Sequence, residues 1–344
     1  MNRSRVVAGV LKLSALGAVA LIFAADCGAL AADVTDAKIS PVSSVDTAPA
    51  DSAPASCSET PRAGDQIWLI STRGLGCPTG DAPTLQVSSY DGHTWVDSTV
   101  EQFLKIDNTA ETTDFYIHGN FDSTDEAVQN GWAVYQKIAH QAPAGRSMRF
   151  VIWSWPSDRE RHPLRTTREN AHRADVDGYY LGWLLSRMDR RAPIGLIGYS
   201  FGARVATGAL HVLGGGQLLG LTVATPAPPE SHPKVRAVLM AAAEDCDWLA
   251  PGHPNELAVP TVERMMLLNN SCDAALKRYR FLDRCSRAEA LGYVGMSGVS
   301  APDKIETLDA CCAVGPEHSW ANYFYDSAIV GQMLPYLYLD AAAR

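Results

Sequence analysis

Short apolar runs recur along the chain from residue 67 onward, and stretches of helical periodicity separate them. Runs such as V-I-W and L-I-G contain no regular polar position, which is typical of central parallel strands covered by helices on both faces. The pattern predicts strands at residues 67–70, 85–88, 115–117, 150–153, 194–197, 235–240 and 265–268.

The segments between these runs carry the signals of one hairpin and several helices. Asp91 and Gly92 lie between residues 85–90 and 93–97 and predict a hairpin turn, so the sheet should begin antiparallel. Ser123 followed by Glu126 predicts a capping box that starts a helix. Helices are predicted at 123–139, 168–190, 200–213 and 321–333, and an ordered loop at 220–233. The chain therefore predicts an α/β fold with a mostly parallel central sheet, an antiparallel start and helices on both faces.

The N-terminal region reads as an export signal. Basic residues precede an uncharged apolar run at 15–25, which is too short to span a bilayer. We expect a signal peptide at residues 1–32, cleaved near Ala31 or Ala32. Lipidation of Cys27 and retention of the segment as an anchor are the alternatives.

Composition divides the remainder of the chain into two parts. Residues 33–65 are rich in Ala, Ser, Pro and acids and hold no aromatic residue, so they predict a disordered linker. Residues 66–344 are expected to form one domain. The whole chain of 344 residues is 47% hydrophobic, which excludes a disordered protein. A net charge of −9 without a basic run disfavours a nucleic-acid binder.

The cysteines point to disulfides rather than to a metal site. Of the eight cysteines, Cys27 falls in the signal segment, and no C-x-x-C pair occurs among the others. A bond from Cys57 to Cys77 would tie the linker to the domain, whereas adjacent Cys311 and Cys312 can hardly pair with each other. The connectivity is otherwise open, and seven cysteines leave one thiol unpaired.

The strongest chemical signal is G-Y-S-F-G at residues 198–202, between a predicted strand and a predicted helix. This setting is what a nucleophile elbow needs, since the serine takes a strained backbone and small neighbours avoid collision. Ser200 is therefore the candidate nucleophile. An ordinary glycine-rich turn with a capping serine is the alternative.

A serine nucleophile needs a base, and an acid to orient that base. Among the downstream histidines, His318 lies near the C-terminus before the last helix and is favoured over His211, His232 and His253. Asp273 follows a late strand and precedes the histidine, so it is the preferred acid.

Two other carboxylates, Asp245 and Asp247, follow the preceding strand and are the alternative acids. Together with Glu244 they could also form a solvated loop or a metal-like cluster. H-G-N at 118–120 ends an earlier strand, where Gly119 and Asn120 could contribute one oxyanion-hole N–H and Phe201 the other. His118 is expected to brace this loop rather than to act as a second base. Aromatic residues that either line an acyl pocket or belong to the core are Trp153, Trp155, Tyr199, Phe201, Trp248 and Trp320.

With these motifs the chain resembles the α/β-hydrolase superfamily, and within it a bacterial family of unknown function that has H-G-N after strand 3. The resemblance covers about residues 66–340 and includes S-T-R at 71–73, S-W-P-S at 154–157, S-x-D-x-A-L at 271–276 and H-S at 318–319. That family often has H-S-M-G around its serine and a second asparagine after H-G-N. This chain has Y-S-F-G and Phe121 instead, so its pocket should differ in shape.

The resulting expectation is an exported serine hydrolase, periplasmic, cell-surface or secreted, that cleaves esters through Ser200, His318 and Asp273. The alternatives are an acyltransferase with the same triad and a non-catalytic binding module of the same fold. No metal or organic cofactor is expected. The expected partner is a small-molecule or lipid-like ester, not a nucleic acid. A retained or lipidated N-terminus would tether the chain to a membrane surface.

Overall fold

A nine-stranded mixed sheet forms the centre of the molecule. The structure is a computed structural model and describes residues 60–105, 111–189, 191–223, 233–282 and 286–340. The strands described are β1 (Gln66–Ser71), β2 (Gln86–Tyr90), β3 (Trp95–Ser98), β4 (Thr112–Ile117), β5 (Met148–Ser154), β6 (Ile194–Tyr199), β7 (Val235–Met240), β8 (Arg264–Asn269) and β9 (Ile305–Asp309). Their spatial order is β3-β2-β1-β5-β4-β6-β7-β8-β9.

Most neighbouring strands run parallel, and the sheet begins with antiparallel pairs. Strand β2 pairs antiparallel with both β1 and β3, whereas all pairs from β1–β5 to β8–β9 are parallel. The turn between β2 and β3 is held by Asp91, whose carboxylate accepts the N–H groups of His93 and Thr94, each at 2.8 Å. The predicted α/β fold with an antiparallel start is therefore confirmed.

Helices cover both faces of this sheet. The α-helices are α1 (Val100–Leu104), α2 (Thr124–Gln141), α3 (Pro163–Leu185), α4 (Phe201–Leu213), α5 (Ala258–Thr261), α6 (Leu291–Val294), α7 (Cys311–Val314), α8 (Trp320–Tyr325) and α9 (Ser327–Met333). Two 3₁₀ helices span Leu276–Phe281 and Leu334–Leu337. The crossover after β4 runs in one direction along the sheet, and the crossovers after β5 and β6 run in the other. Because such crossovers are right-handed as a rule, α2 lies on one face, and α3 and α4, which pack together, lie on the opposite face.

Local signals account for the helix boundaries. Ser123 and Glu126 form the predicted capping box of α2, with Ser123 N–H donating to the Glu126 carboxylate at 2.8 Å. Helix α3 begins at Pro163, ahead of the predicted position, because proline suits a first helical turn. The single helix predicted at 321–333 is two helices, since the Asp326 carboxylate caps α9 by accepting N–H groups at its start.

The start of the described chain packs on the domain. Arg62, in the segment predicted as a linker, donates through its guanidinium to the carbonyl oxygens of Ala139 and Arg146 at 3.1 and 2.8 Å. Asp65 accepts a hydrogen bond from the Tyr135 hydroxyl at 2.8 Å. The predicted signal peptide lies outside the described residues. None of the helices described is long and apolar enough to cross a membrane.

One disulfide links the loop after β8 to the start of α7, at the carboxyl edge of the sheet. Cys272 is bonded to Cys311, with their Cα atoms 5.2 Å apart. Cys77 is also disulfide-bonded, and Cys57, its predicted partner, lies outside the described residues. Cys246 and Cys312 are free thiols. The Cys272–Cys311 bond was not among the pairings that the sequence suggested.

Candidate active site

Four strands deliver the candidate residues to one edge of the sheet. Ser200 follows β6, Gly119 follows β4, Asp273 follows β8 and His318 follows β9. Since parallel strands end at the same edge, these residues lie close together although they are far apart in sequence. The edge between β4 and β6 is also where the crossovers change direction, which is the usual position of a crevice in such sheets.

The turn that carries Ser200 is strained and tightly packed. Ser200 has φ 55° and ψ −119°, a backbone conformation that non-glycine residues rarely adopt. A Cβ at position 202 would collide with the carbonyl oxygen of Ile117, and one at position 198 would lie 2.6 Å from the Cα of Ala203. Only glycine fits at either position. The G-x-S-x-G spacing is therefore explained by the space around the turn, which holds the Ser200 side chain at the tip.

His318 connects Ser200 to Asp273 through its two ring nitrogens. Its Nδ1 lies 2.6 Å from Asp273 Oδ2, and its Nε2 lies 2.9 Å from Ser200 Oγ. An ionised carboxylate only accepts hydrogen bonds, so the neutral ring of His318 carries its proton on Nδ1. The Nδ1–H group donates a hydrogen bond to Asp273. Nε2 is then the acceptor for the Ser200 hydroxyl. This is the tautomer that a general base requires.

Asp273 is fixed from behind by the backbone. Its side chain is fully buried, and its Oδ1 accepts the N–H groups of Ala275 and Leu276 at 2.8 and 2.9 Å. These donors hold the carboxylate in place, so that Oδ2 remains directed at His318. These hydrogen bonds to the ionised carboxylate also offset the free-energy cost of removing its charge from water.

The alternative acids point elsewhere. Asp245 accepts a hydrogen bond from the Tyr279 hydroxyl at 2.8 Å, and Asp247 lies 3.5 Å from His253. Glu244 is fully buried and accepts a hydrogen bond from Thr207 at 2.6 Å. The three carboxylates therefore diverge. In the described part of the chain, no group of three or more His, Cys, Asp or Glu residues has the arrangement of a metal site.

The competing histidines also have other neighbours. His211 accepts a hydrogen bond from the Leu257 N–H at 3.3 Å at the far end of α4, and His232 lies outside the described residues. His118 is fully buried, and burial, followed by the charge of Arg73, lowers its pKa to about 3. The ring of His118 is therefore neutral at ordinary pH.

His118 braces the loop after β4 through its ring and its carbonyl oxygen. The Trp155 N–H donates to His118 Nε2 at 3.2 Å, so Nδ1 carries the proton and donates to the Gly119 carbonyl oxygen at 2.9 Å. The Trp155 indole N–H donates to the His118 carbonyl oxygen at 2.9 Å. These contacts match the expected bracing role.

The candidate oxyanion donors border Ser200. A Cβ at Gly119 would lie 2.8 Å from the Tyr199 ring and 3.3 Å from Ser200 Cβ, so glycine allows the turn to approach the serine. Among the described residues, the N–H groups of Gly119, Asn120 and Phe201 have no hydrogen-bond partner. Phe121 N–H, in contrast, donates to the Ser157 carbonyl oxygen at 2.8 Å. The donors available to a bound oxygen are thus at positions 119, 120 and 201.

Three side chains that sequence reasoning did not assign hold the turn at 119–122. Asn170 of α3 is fully buried and donates to Asn120 Oδ1 at 2.7 Å. Arg73 and the Ser157 hydroxyl both donate to the Asp122 carbonyl oxygen, at 2.8 and 3.1 Å. The S-T-R and S-W-P-S motifs contain two of these residues. Asn170 falls within the predicted helix at 168–190, and no spacing in the sequence links it to Asn120.

A pocket of about 480 Å³ opens above Ser200. Tyr199, Phe201 and Trp320 line it, whereas Trp153 and Trp155 are fully buried in the core. Trp248 instead lies under the Arg204 guanidinium, 4.2 Å from it. Residues of α3 and of the 3₁₀ helix Leu276–Phe281 complete the wall, which includes Leu164, Leu276 and Tyr279. The pocket is therefore largely apolar and has the Ser200 hydroxyl at its base.

Comparison with known proteins leaves the family of this chain open. No protein-family model matches the sequence, and no curated protein matches it either. The function of this chain is therefore inferred from the residues and the geometry of the site.

Proposed function

We propose that this chain is a serine hydrolase of the α/β-hydrolase fold that cleaves carboxylic esters. The observation that carries the proposal is the hydrogen-bonded sequence Ser200–His318–Asp273 at the base of the pocket, with distances of 2.9 and 2.6 Å. A buried carboxylate, a correctly oriented imidazole and a serine on a strained turn are the parts that activate a hydroxyl for attack.

The topology supports the hydrolase fold. The nucleophile, acid and histidine follow β6, β8 and β9 in that order along the chain, which is the order of Ser, Asp and His in α/β-hydrolases. The strand before the serine has β4 as its neighbour, and the loop after β4 provides the second side of the oxyanion site. A strand-turn-helix unit surrounds the serine, as that fold requires.

The geometry supports a two-step reaction. His318 Nε2 takes the proton of Ser200 Oγ as this oxygen attacks the ester carbonyl, and the N–H groups of Phe201 and Asn120 stabilise the oxyanion. Asp273 holds the imidazolium that forms. His318 then donates the proton to the departing alcohol, which leaves an acyl group on Ser200. His318 removes a proton from water as this water attacks the acyl-enzyme, and it then returns the proton to Ser200 Oγ as the bond from Oγ to the acyl group breaks and the acid leaves.

The surroundings favour an exported esterase with an apolar acyl group. Tyr199, Leu276 and Trp320 present aromatic and aliphatic surface beside Ser200. The disulfides at Cys77 and at Cys272–Cys311 are typical of an oxidising compartment, which agrees with the basic and apolar N-terminal pattern. We place the enzyme outside the cytoplasm on these grounds.

Turnover of a panel of soluble aryl esters of increasing acyl length tests the proposal. Ser200→Ala should lower kcat by on the order of 10³-fold or more, since the nucleophile is lost. Ser319→Ala is the matched control, because Ser319 lines the same pocket and, among the described residues, its hydroxyl takes no part in the hydrogen bonds of the triad; it should retain activity. Equal activity of the Ser200→Ala and wild-type proteins would refute the assignment.

The same assay distinguishes the alternatives. Product analysis with an added alcohol would reveal an acyltransferase, because that enzyme transfers the acyl group to the alcohol in preference to water. Absence of turnover in a folded protein whose Ser200 also fails to react with an activated phosphonate would indicate a binding module.

A further inference from the structure

Two segments form the rim of the pocket. Residues 158–169 lead into and begin α3, and residues 277–282 belong to the 3₁₀ helix and its end. Leu164 and Thr167 of the first segment and Arg278 and Leu282 of the second line the pocket. The Arg168 guanidinium donates to the Leu282 carbonyl oxygen at 2.7 Å, which joins the two segments. We call residues 158–169 and 277–282 the rim.

The rim is basic in an acidic protein. It contains seven Arg and Lys residues and three Asp and Glu residues, a local balance of +4, whereas the chain carries −9. All seven cations are exposed: Arg159, Arg161, Arg165, Arg168, Lys277, Arg278 and Arg280. A concentration of positive charge against the net charge of the chain marks a surface for an anionic partner.

The carboxylates of the rim do not neutralise these cations. Asp158 pairs with Arg73 at 2.8 Å and Glu160 with Arg173 at 3.8 Å, and both arginines lie outside the rim. Glu169 pairs with Arg165 at 2.7 Å. Within the described residues, the other six rim cations have no carboxylate at ion-pair distance. Glu126 also lines the pocket, and its carboxylate accepts a hydrogen bond from the Ser123 hydroxyl at 2.7 Å.

Two large apolar side chains project from the same rim. Leu164 is 67% exposed and Phe281 is 60% exposed, and they are two of the five large apolar residues exposed in the described part of the chain. They lie on opposite segments of the rim. Burying them in a partner would recover apolar area that folding leaves in water.

We propose that the rim docks on an anionic lipid surface, with Leu164 and Phe281 entering the headgroup region and the six rim cations that lack a carboxylate partner facing lipid phosphates. Exposed apolar tips surrounded by cations are the combination that an anionic bilayer interface binds. A nucleic acid would use the cations but would leave Leu164 and Phe281 in water. Docking in this orientation places the pocket mouth on the lipid, so an acyl ester can reach Ser200 without crossing water.

This surface can bind lipid whether or not Ser200 is a nucleophile, so the test measures binding. The full chain is titrated with vesicles of phosphatidylglycerol and phosphatidylcholine, and with vesicles of phosphatidylcholine alone. A rim variant, Lys277→Gln/Arg280→Gln/Phe281→Ser, changes residues that do not line the pocket. A control variant, Val96→Ser/Lys105→Gln, removes an exposed apolar residue and an exposed cation near strand β3.

The wild-type chain should bind the anionic vesicles more tightly than the neutral ones, and high salt should weaken this preference. The rim variant should lose at least about tenfold in affinity for anionic vesicles, because each cation near such a surface contributes roughly fivefold. The control variant should bind like the wild type. Any binding through the N-terminal apolar run is common to all three proteins.

Amide hydrogen exchange with bound anionic vesicles supplies a local readout. Exchange should slow in residues 158–169 and 277–282 of the wild type. Equal affinity of the rim variant and the wild type, or unchanged exchange in the rim of vesicle-bound protein, would overturn the proposal. A dimer in solution that the rim variant abolishes would assign the rim to a second copy of the chain and would overturn it as well.

Discussion

Replacing Asp273 by asparagine removes the negative charge of the carboxylate and keeps the size and shape of the side chain. The backbone N–H groups of Ala275 and Leu276 both donate to Oδ1. In Asp273→Asn this position still requires an oxygen, because an amide NH₂ there would face two donors. The asparagine must therefore present its NH₂ group to His318.

This orientation reverses the tautomer of His318. Facing an NH₂ donor at 2.6 Å, Nδ1 must accept a hydrogen bond, so the ring proton moves to Nε2. Nε2 then donates to Ser200 Oγ and can no longer remove its proton. A triad with the wrong tautomer loses on the order of 10⁴-fold in kcat. The shape and the backbone hydrogen bonds are kept, so the fold should remain.

Steady-state ester hydrolysis at neutral pH measures this loss, and thermal unfolding checks the fold. Asp247→Asn is the control, since Asp247 is an alternative acid that faces His253, and it should retain activity. A loss of less than about tenfold in Asp273→Asn, or a large loss in Asp247→Asn, would refute the tautomer argument.

Three further changes test the surroundings of the site. Gly119→Ala would bring a Cβ to 2.8 Å from the Tyr199 ring and should lower kcat/KM at least about tenfold, whereas Gly76→Ala, which meets open space, should not. Asn170→Ala should lower kcat about tenfold with little change in KM, because the turn at 119–122 loses the 2.7 Å hydrogen bond from Asn170 to Asn120. A change confined to KM would contradict this. Burial raises the pKa of Glu244 to about 8. From about pH 4.5 to 8 the folded state therefore binds more protons at this group than the unfolded state does. Glu244 thus makes the free energy of unfolding fall as pH rises through that window. Chemical unfolding of Glu244→Gln across the window should therefore show a weaker decline with pH than the wild type, and an identical decline would contradict the assignment.

Local patterns predicted the parts of the fold and of the site that depend on neighbouring residues. The strand-turn-helix around Ser200, the capping box at Ser123 and the turn at Asp91 each involve contacts within a few residues. Such contacts leave a readable spacing in the sequence. The order of strands and the position of His318 near the C-terminus then suggested the two partners of Ser200.

Features that depend on long-range contacts left no such pattern. Asn170 meets Asn120 across 50 positions of sequence, and no spacing rule links them. The Cys272–Cys311 bond could not be selected from several cysteines without coordinates. Strand β9 was not predicted because it is a short edge strand with mostly exposed or half-buried residues, so its apolar signal is weak.

The most direct test of the central claim is covalent labelling of the full chain with a fluorophosphonate, followed by mass spectrometry of the peptides. We predict one modified residue, Ser200, with labelling that is absent in Ser200→Ala and strongly slowed in His318→Ala. Modification of another serine, or labelling of Ser200 that proceeds unchanged without His318, would contradict it.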